Sequence, residues 1–441
     1  MTTTTNLPIL LQKSRKMQDY LDLHRSSLLE LDAGHDHRRI VIKEQGTTPL
    51  LIYSNPGGGI GDRVKGILGA FLFALCTNRV LLIDYHEPTH LHQVLIPAGP
   101  ILWNASFLEA EQGGEEDEDN SKQMLILDNQ EAHEVNQDPG LLAYKNPKSN
   151  SNSNTTATTP LLYNRLILRL STNSWGNFSS SSLLGDLLEP YGNVFSLEAQ
   201  HDLFYTLFQF TPAVQERANA LLSLENDNNN DNDGEDYIAV HVRTGDSSFI
   251  TEFWKGSGKK HVGKHPRHAG EEVPEQFFSC AKKLQTGMMM MMTTTTTTTM
   301  TLGDHDNDDS QQKKQSKKQM KQQPKSKPKI YVASDEDATK QKIRDFDPES
   351  VVLAKNMTLL HVGREDQKGF EESKVAGHLD AWAEILILAN AACIVGSRSG
   401  YSDLAVALSN RQRPLKRCGL KFWECNQTGI DTALENLKNE R

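Results

Sequence analysis

PLLIYSNPGGGIGDRVKGILGAFLFALCTNRVLLIDYHEPTHL, residues 49–91, carries the pattern that decides the fold. An apolar run leads into a glycine turn, then into a long apolar stretch of helical length, then into a second apolar run, VLLID. That succession is a βαβ unit of a parallel sheet. Both runs lack polar alternation, as strands covered on two faces do.

The turn itself, NPGGGIGDRVKG (55–66), invites a dinucleotide reading, but the register fails. Asp62 and Val64 stand where the third glycine of GxGxxG would fall, and no GK[ST] closes a P-loop. What remains is a strand, several glycines and the positive end of a helix, whose free N–H groups can hold an anion. Gly58, Gly59 and Gly61 would admit the ligand, and beside Asp62 the first helical turn carries Arg63 and Lys65, which would add charge to that site. A tight βα connection with no ligand fits the same residues.

Further strands end in polar residues downstream. DYIAVHVR runs into His241, Arg243, Thr244 and Asp246; KIYVA runs into Ser334 and Asp335; a helix, LDAWAEILILAN, precedes the strand ACIV and the turn Gly396-Ser397-Arg398-Ser399-Gly400. Chemistry at the carboxyl ends of strands is the habit of open α/β sheets. Arg243 can offer a fork of donors to a diphosphate, or form a surface ion pair. Ser334 or Asp335 can cap the following helix, or Asp335 can accept from a purine. Ser397, Ser399 and Gly400, with Arg398, make a phosphate cradle at a helix start. Because Arg398 stands between the two glycines, the turn is not a GxSxG nucleophile elbow.

Around these blocks the 441 residues suffice for two domains with extra material. The mean hydropathy of −0.54 is polar for an enzyme, but the polar excess lies in local stretches: Glu115–Asp119, Lys148–Thr159, Asn226–Asp236, and above all Met288–Pro328. The last is expected to be a disordered insert. Gln18–Asp32 carries leucines at helical spacing and predicts a short peripheral helix. A formal net charge of −10 argues against a nucleic-acid partner. The five cysteines lack metal spacing and read as buried thiols, with Cys418–Cys425 as the pair considered for a disulfide. No run is long and apolar enough for a membrane span or signal peptide. Sequons stand at Asn104, Asn154, Asn177, Asn356 and Asn426.

Taken in order, GGGIGDRVKGILGAFLFALCTNRVLLID, YIAVHVRTGD, KIYVASD and HLDAWAEILILANAACIVGSRSGYSD resemble the successive segments of the α1,2/α1,6/O-fucosyltransferase superfamily. The resemblance covers about half of the chain. It implies an α/β fold of two Rossmann-like domains facing across a cleft (GT-B-like), and inverting transfer of fucose from GDP-fucose to a glycan or protein hydroxyl, with no metal or other cofactor required; transfer from another nucleotide sugar, or nucleotide or glycan binding without turnover, fits the same residues. The domains expected are an extension to residue 48, an acceptor-side domain over 49–235 and a donor-side domain over 236–441. Carried over, Arg243 would bind the β-phosphate and stabilise the departing GDP; His241 would touch the nucleoside, Asp335 the guanine, and Ser397, Ser399 and Gly400 the diphosphate. Gly58, Gly59 and Gly61 would line the opposite wall. Asp62, Asp246 and Glu252 are the candidate bases. The resemblance also implies a Golgi or secretory location, although the membrane anchor expected there is missing from this sequence.

Overall fold

A computed structural model describes residues 14–32, 38–42, 49–54, 58–99, 101–104, 124–127, 167–170, 196–222, 236–243, 273–298, 327–354, 357, 370–397, 399–409, 418–421 and 424–440. By their contacts these divide into two compact units, the first comprising Met1–Leu221, Met357–Ala389 and Asp403–Leu408, the second Leu222–Asn356, Asn390–Ser402 and Ser409–Arg441. Each unit is built on a parallel sheet flanked by helices, so the chain is an α/β protein of two Rossmann-like units.

The first sheet has the order β4-β3-β7-β6, from β3 (Leu50–Tyr53), β4 (Val80–Ile83), β6 (Met124–Leu127) and β7 (Ile167–Leu170), all parallel. The βαβ unit read from the sequence is β3, helix α2 (Ile60–Thr77) and β4. Helix α2 is buried on nearly every side, from Ile60 to Thr77, which explains why its sequence shows almost no polar face. It ends at Asn78, which takes the left-handed conformation (φ 52°) and returns its N–H to Ala74. A short antiparallel pair, β5 (Leu95–Pro97) and β8 (Phe208–Phe210), adjoins helices α3 (Leu197–Leu207) and α4 (Pro212–Leu222). Here Trp103 donates its indole N–H to the Leu207 carbonyl at 2.8 Å.

The N-terminal helix differs from its expected span. Helix α1 runs Arg15–Ser27, and Leu28–Asp32 (β1) pairs antiparallel with Arg38–Ile42 (β2). Pairing with a β-branched partner, Ile40-Val41-Ile42, outweighs the helical spacing of the leucines. Nor is α1 merely peripheral: Met17, Tyr20 and Leu21 are buried, and the Tyr20 hydroxyl accepts the Leu81 N–H at 3.2 Å.

The second sheet has the order β11-β10-β9-β12-β13, from β9 (Tyr237–Val242), β10 (Lys329–Ser334), β11 (Val351–Leu353), β12 (Cys393–Gly396) and β13 (Cys418–Lys421). All pairings are parallel. Counted along the chain this is 3-2-1-4-5, the doubly wound order, with its reversal between β9 and β12. Helices α5 (Val273–Thr298), α6 (Asp337–Phe346) and α9 (Gln427–Glu440) pack in this unit, whereas α7 (Phe370–Asn390) belongs to the first as far as Ala389.

The expected disordered insert at 288–328 starts too early: helix α5 continues to Thr298, and Met288 is fully buried with Phe277, Cys280, Ala281 and Leu284. Unbranched methionine extends a helix at little cost, and position 288 falls on its apolar stripe. Residues 299–326 lie outside the described set, as do 115–119, 148–159 and 226–235. The cysteines are mostly paired: Cys280 with Cys425 and Cys393 with Cys418, whereas Cys76 is a buried free thiol. Cys393 and Cys418 are direct partners across β12 and β13, a closeness that their separation of 25 residues does not reveal.

Candidate functional site

In the second unit the strand order reverses between β9 and β12, and the carboxyl edge at such a reversal is where open α/β sheets hold their ligands. Of the residues singled out from the sequence, His241, Arg243, Asp335, Ser397, Ser399 and Gly400 lie at that edge. His241 lies in register with Gly396, and the Ser397 N–H donates to the His241 carbonyl at 3.0 Å, continuing the ladder one step past β12. The Ser397 hydroxyl accepts the Arg243 N–H at 3.2 Å. Arg243 itself is exposed, whereas Ser397 and Ser399 are buried.

His241 is buried and its Nδ1 is shared between the Ser402 hydroxyl, 2.6 Å away, and that of Ser397, at 3.3 Å. Its ring lies 5.1 Å from that of Tyr401. Burial pushes the imidazole down to about 4, with Asp335 pulling the other way and Arg243 and Lys421 adding to the depression. The ring is therefore neutral near pH 7, and Nδ1 is committed to the serines. Nε2 is the ring atom left for a ligand.

Helix α8 (Gly400–Ala407) begins at this edge, with the Ser399 hydroxyl accepting the Tyr401 N–H at 3.2 Å. Gly396 is required by packing: a Cβ there would lie 2.9 Å from the Ser402 Cβ. Asp335 follows β10 directly and is partly buried. Neither it nor Ser334 is the N-cap of α6, which is Glu336 without a side-chain cap; the Ser334 hydroxyl instead accepts the Glu336 N–H at 3.2 Å. Arg398, Asp246 and Glu252 lie outside the described residues.

The glycine turn belongs to the first unit. Gly58 has φ 81°, a conformation that favours glycine, and Gly59 precedes α2 with open space where a Cβ would stand. Gly61 is buried in the first turn and Asp62 is exposed. Arg63 is turned inward. Its Nε donates to the Gly58 carbonyl at 3.0 Å, Nη1 donates to the Glu87 carbonyl, and the guanidinium lies 5.2 Å above the Tyr85 ring. On this geometry Arg63 holds the turn in shape.

Tyr85 also stacks on His378, with centroids 6.0 Å apart. Trp382 donates its indole N–H to His378 Nε2 at 2.9 Å. Nε2 must then be bare, so Nδ1 carries the hydrogen and donates it to the Thr89 hydroxyl at 2.6 Å. Burial, reinforced by Arg63, pushes this imidazole down to about 3. Lys65 pairs with Asp403 at 3.7 Å.

Tyr401, Ser402 and Lys421 join the site without a role legible in the sequence. Tyr401 and Ser402 stand inside the quoted serine turn, but helical periodicity does not say which hydroxyl meets His241. Lys421 ends β13, and its only sequence signal is a cation closing a short apolar strand. Among the described residues no three His, Cys, Asp or Glu side chains converge as a metal site, and no helix is long and apolar enough to cross a membrane. Of the sequons, Asn104 is buried and Asn426 is exposed.

No family model matches the chain, and no curated protein does. Solved structures are similar to it. A mutant of Arabidopsis thaliana FUT1 in complex with GDP aligns over 89% of this chain and 76% of its own, at 14% identity and a TM-score of 0.44. Fucosyltransferase NodZ from Bradyrhizobium aligns over 82% and 93%, at 13% identity and 0.41. POFUT1 in complex with GDP-fucose aligns over 86% and 98%, at 11% identity and 0.38. Likeness of this degree leaves the chemistry to be read from the chain's own residues.

Proposed function

We propose that this chain is a glycosyltransferase that takes fucose from GDP-fucose and passes it, with inversion, to a hydroxyl of a glycan or protein. The observation that carries the reading is the gathering of His241, Arg243, Ser397, Ser399 and Gly400 at the reversal point of a 3-2-1-4-5 parallel sheet. That is where open α/β sheets hold nucleotides. The succession of segments that resembles the fucosyltransferase superfamily selects the donor.

In this reading the second unit holds the donor. The exposed Arg243 guanidinium binds the β-phosphate and offsets the charge that grows on GDP as the anomeric C–O bond breaks. The amides at the start of α8, with Ser397 and Ser399, cradle the diphosphate, Arg398 adds charge to that cradle, and Asp335 accepts from the guanine ring N–H and amino group. His241 is assigned a part in holding the serine turn through Nδ1 while presenting Nε2 to the nucleoside. The first unit takes the acceptor side, with Gly58, Gly59 and Gly61 at its approach and Arg63 holding the turn's shape. The acceptor oxygen attacks the anomeric carbon as GDP leaves, and its proton passes to a base; Asp62, exposed beside the glycine turn, is the described candidate, with Asp246 and Glu252 the others. No metal or other cofactor is assigned. Two disulfides fit an oxidising, secretory compartment.

Calorimetric titration with GDP, UDP and GDP-fucose, repeated on Arg243→Ala, tests the reading. Selective GDP binding lost in the variant is expected. Equal or absent binding of all three ligands removes the fucosyltransferase assignment.

A further inference from the structure

The last residue of β13 lies in one row with His241. His241 and Gly396 are Cα partners across β9 and β12, and Gly396 and Lys421 are partners across β12 and β13. Residues in register on parallel strands send their side chains to the same face. The central member of this row has no side chain, and Ser402 packs over it. Lys421 is half-buried and lies on the opposite side of β12 from Arg243.

A strand of four residues at a sheet edge ordinarily frays, but this one is fixed at both ends. Cys418, its first residue, is bonded to Cys393, and Cys425, four residues beyond Lys421, is bonded to Cys280. Between them the Lys421 N–H donates to a Glu424 carboxylate oxygen at 2.8 Å. The charge of Lys421 is felt at His241, where it helps keep the imidazole neutral.

We infer that Lys421 is a further cation for the diphosphate of the bound nucleotide, opposite Arg243, held in place by the two disulfides. This rests on the donor-site reading above. A departing nucleoside diphosphate carries more negative charge than Arg243, Arg398 and one helix terminus neutralise, and an ammonium on a flexible stem reaches a phosphate oxygen as a point charge.

Titration of GDP into wild type, Lys421→Gln and Lys421→Arg at low and high salt tests this, with thermal unfolding to confirm the fold. Lys421→Gln is expected to weaken GDP binding about tenfold at low salt, and the gap should narrow at high salt because a lost ionic contact is screened. Lys421→Arg should keep most of the affinity. Should the Gln variant fail to fold, Lys421→Met keeps the stem and removes the charge. Unchanged GDP affinity at both salts in the neutral variant, with Arg243→Ala still deficient, overturns the assignment and leaves the donor site intact. Wild type that binds no GDP takes both down.

Discussion

Replacing Arg243 by alanine removes an exposed guanidinium and keeps the main-chain N–H that donates to Ser397. The expected outcome is a GDP affinity lower by roughly ten- to a hundredfold with an unchanged melting temperature. Gly396→Ala is its converse. The new Cβ would meet Ser402 at 2.9 Å, so the serine must move away from His241; chemical denaturation should show a loss of about 1–3 kcal/mol, accompanied by weaker GDP binding. Three buried histidines make stability depend on pH. Burial pushes His24 and His241 down to about 4 and His378 to about 3. Since these folded values lie below the ordinary 6.5, the unfolded chain binds more protons, and stability present above pH 6.5 is lost as pH falls toward 4. Unfolding free energy measured across that interval should drop by up to about 1.4 kcal/mol per pH unit for each histidine. These roles divide in legibility. His241 and Arg243 could be named from the sequence because they end a recognisable strand, whereas Ser402 acquires its role only by meeting His241 across the fold and Lys421 only through register with strands distant in sequence.

Among the elements, α5 and β13 show how local composition misleads. The run of methionines after Gly287 looks like the start of a low-complexity tract, yet Met288 fills the core beneath β9 and β12. Met288→Ala should therefore cost about 2–5 kcal/mol by denaturant titration. The helix was hidden because a homopolymer has no periodicity to read. The disulfides were hidden for a different reason: Cys280 and Cys425 are 145 residues apart, and Cys393 and Cys418 meet only because β12 and β13 pair. Thiol titration of the unfolded, unreduced protein should count one thiol, Cys76, and reduction should destabilise the second unit by about 3 kcal/mol for each bridge.

At the scale of the whole molecule, the chain passes repeatedly between the two units. Residues 357–389 and 403–408 belong with the first, although β9 through β13 build the second. A fragment of residues 236–441 is therefore expected to expose apolar surface of the helix Phe370–Asn390, including Trp382 and Leu388, and to aggregate or bind a hydrophobic dye where the full chain does not. The sequence by itself determined the α/β class, the βαβ unit at 49–91 and the strands that end in polar residues, because apolar runs and glycine turns are local signals with a fixed period. Only the tertiary structure decided the 3-2-1-4-5 order, the disulfide partners, the inward turn of Arg63 and the row of His241, Gly396 and Lys421. Each of those depends on which strands lie side by side, and adjacency in a parallel sheet is set by crossovers that bring together segments far apart along the chain.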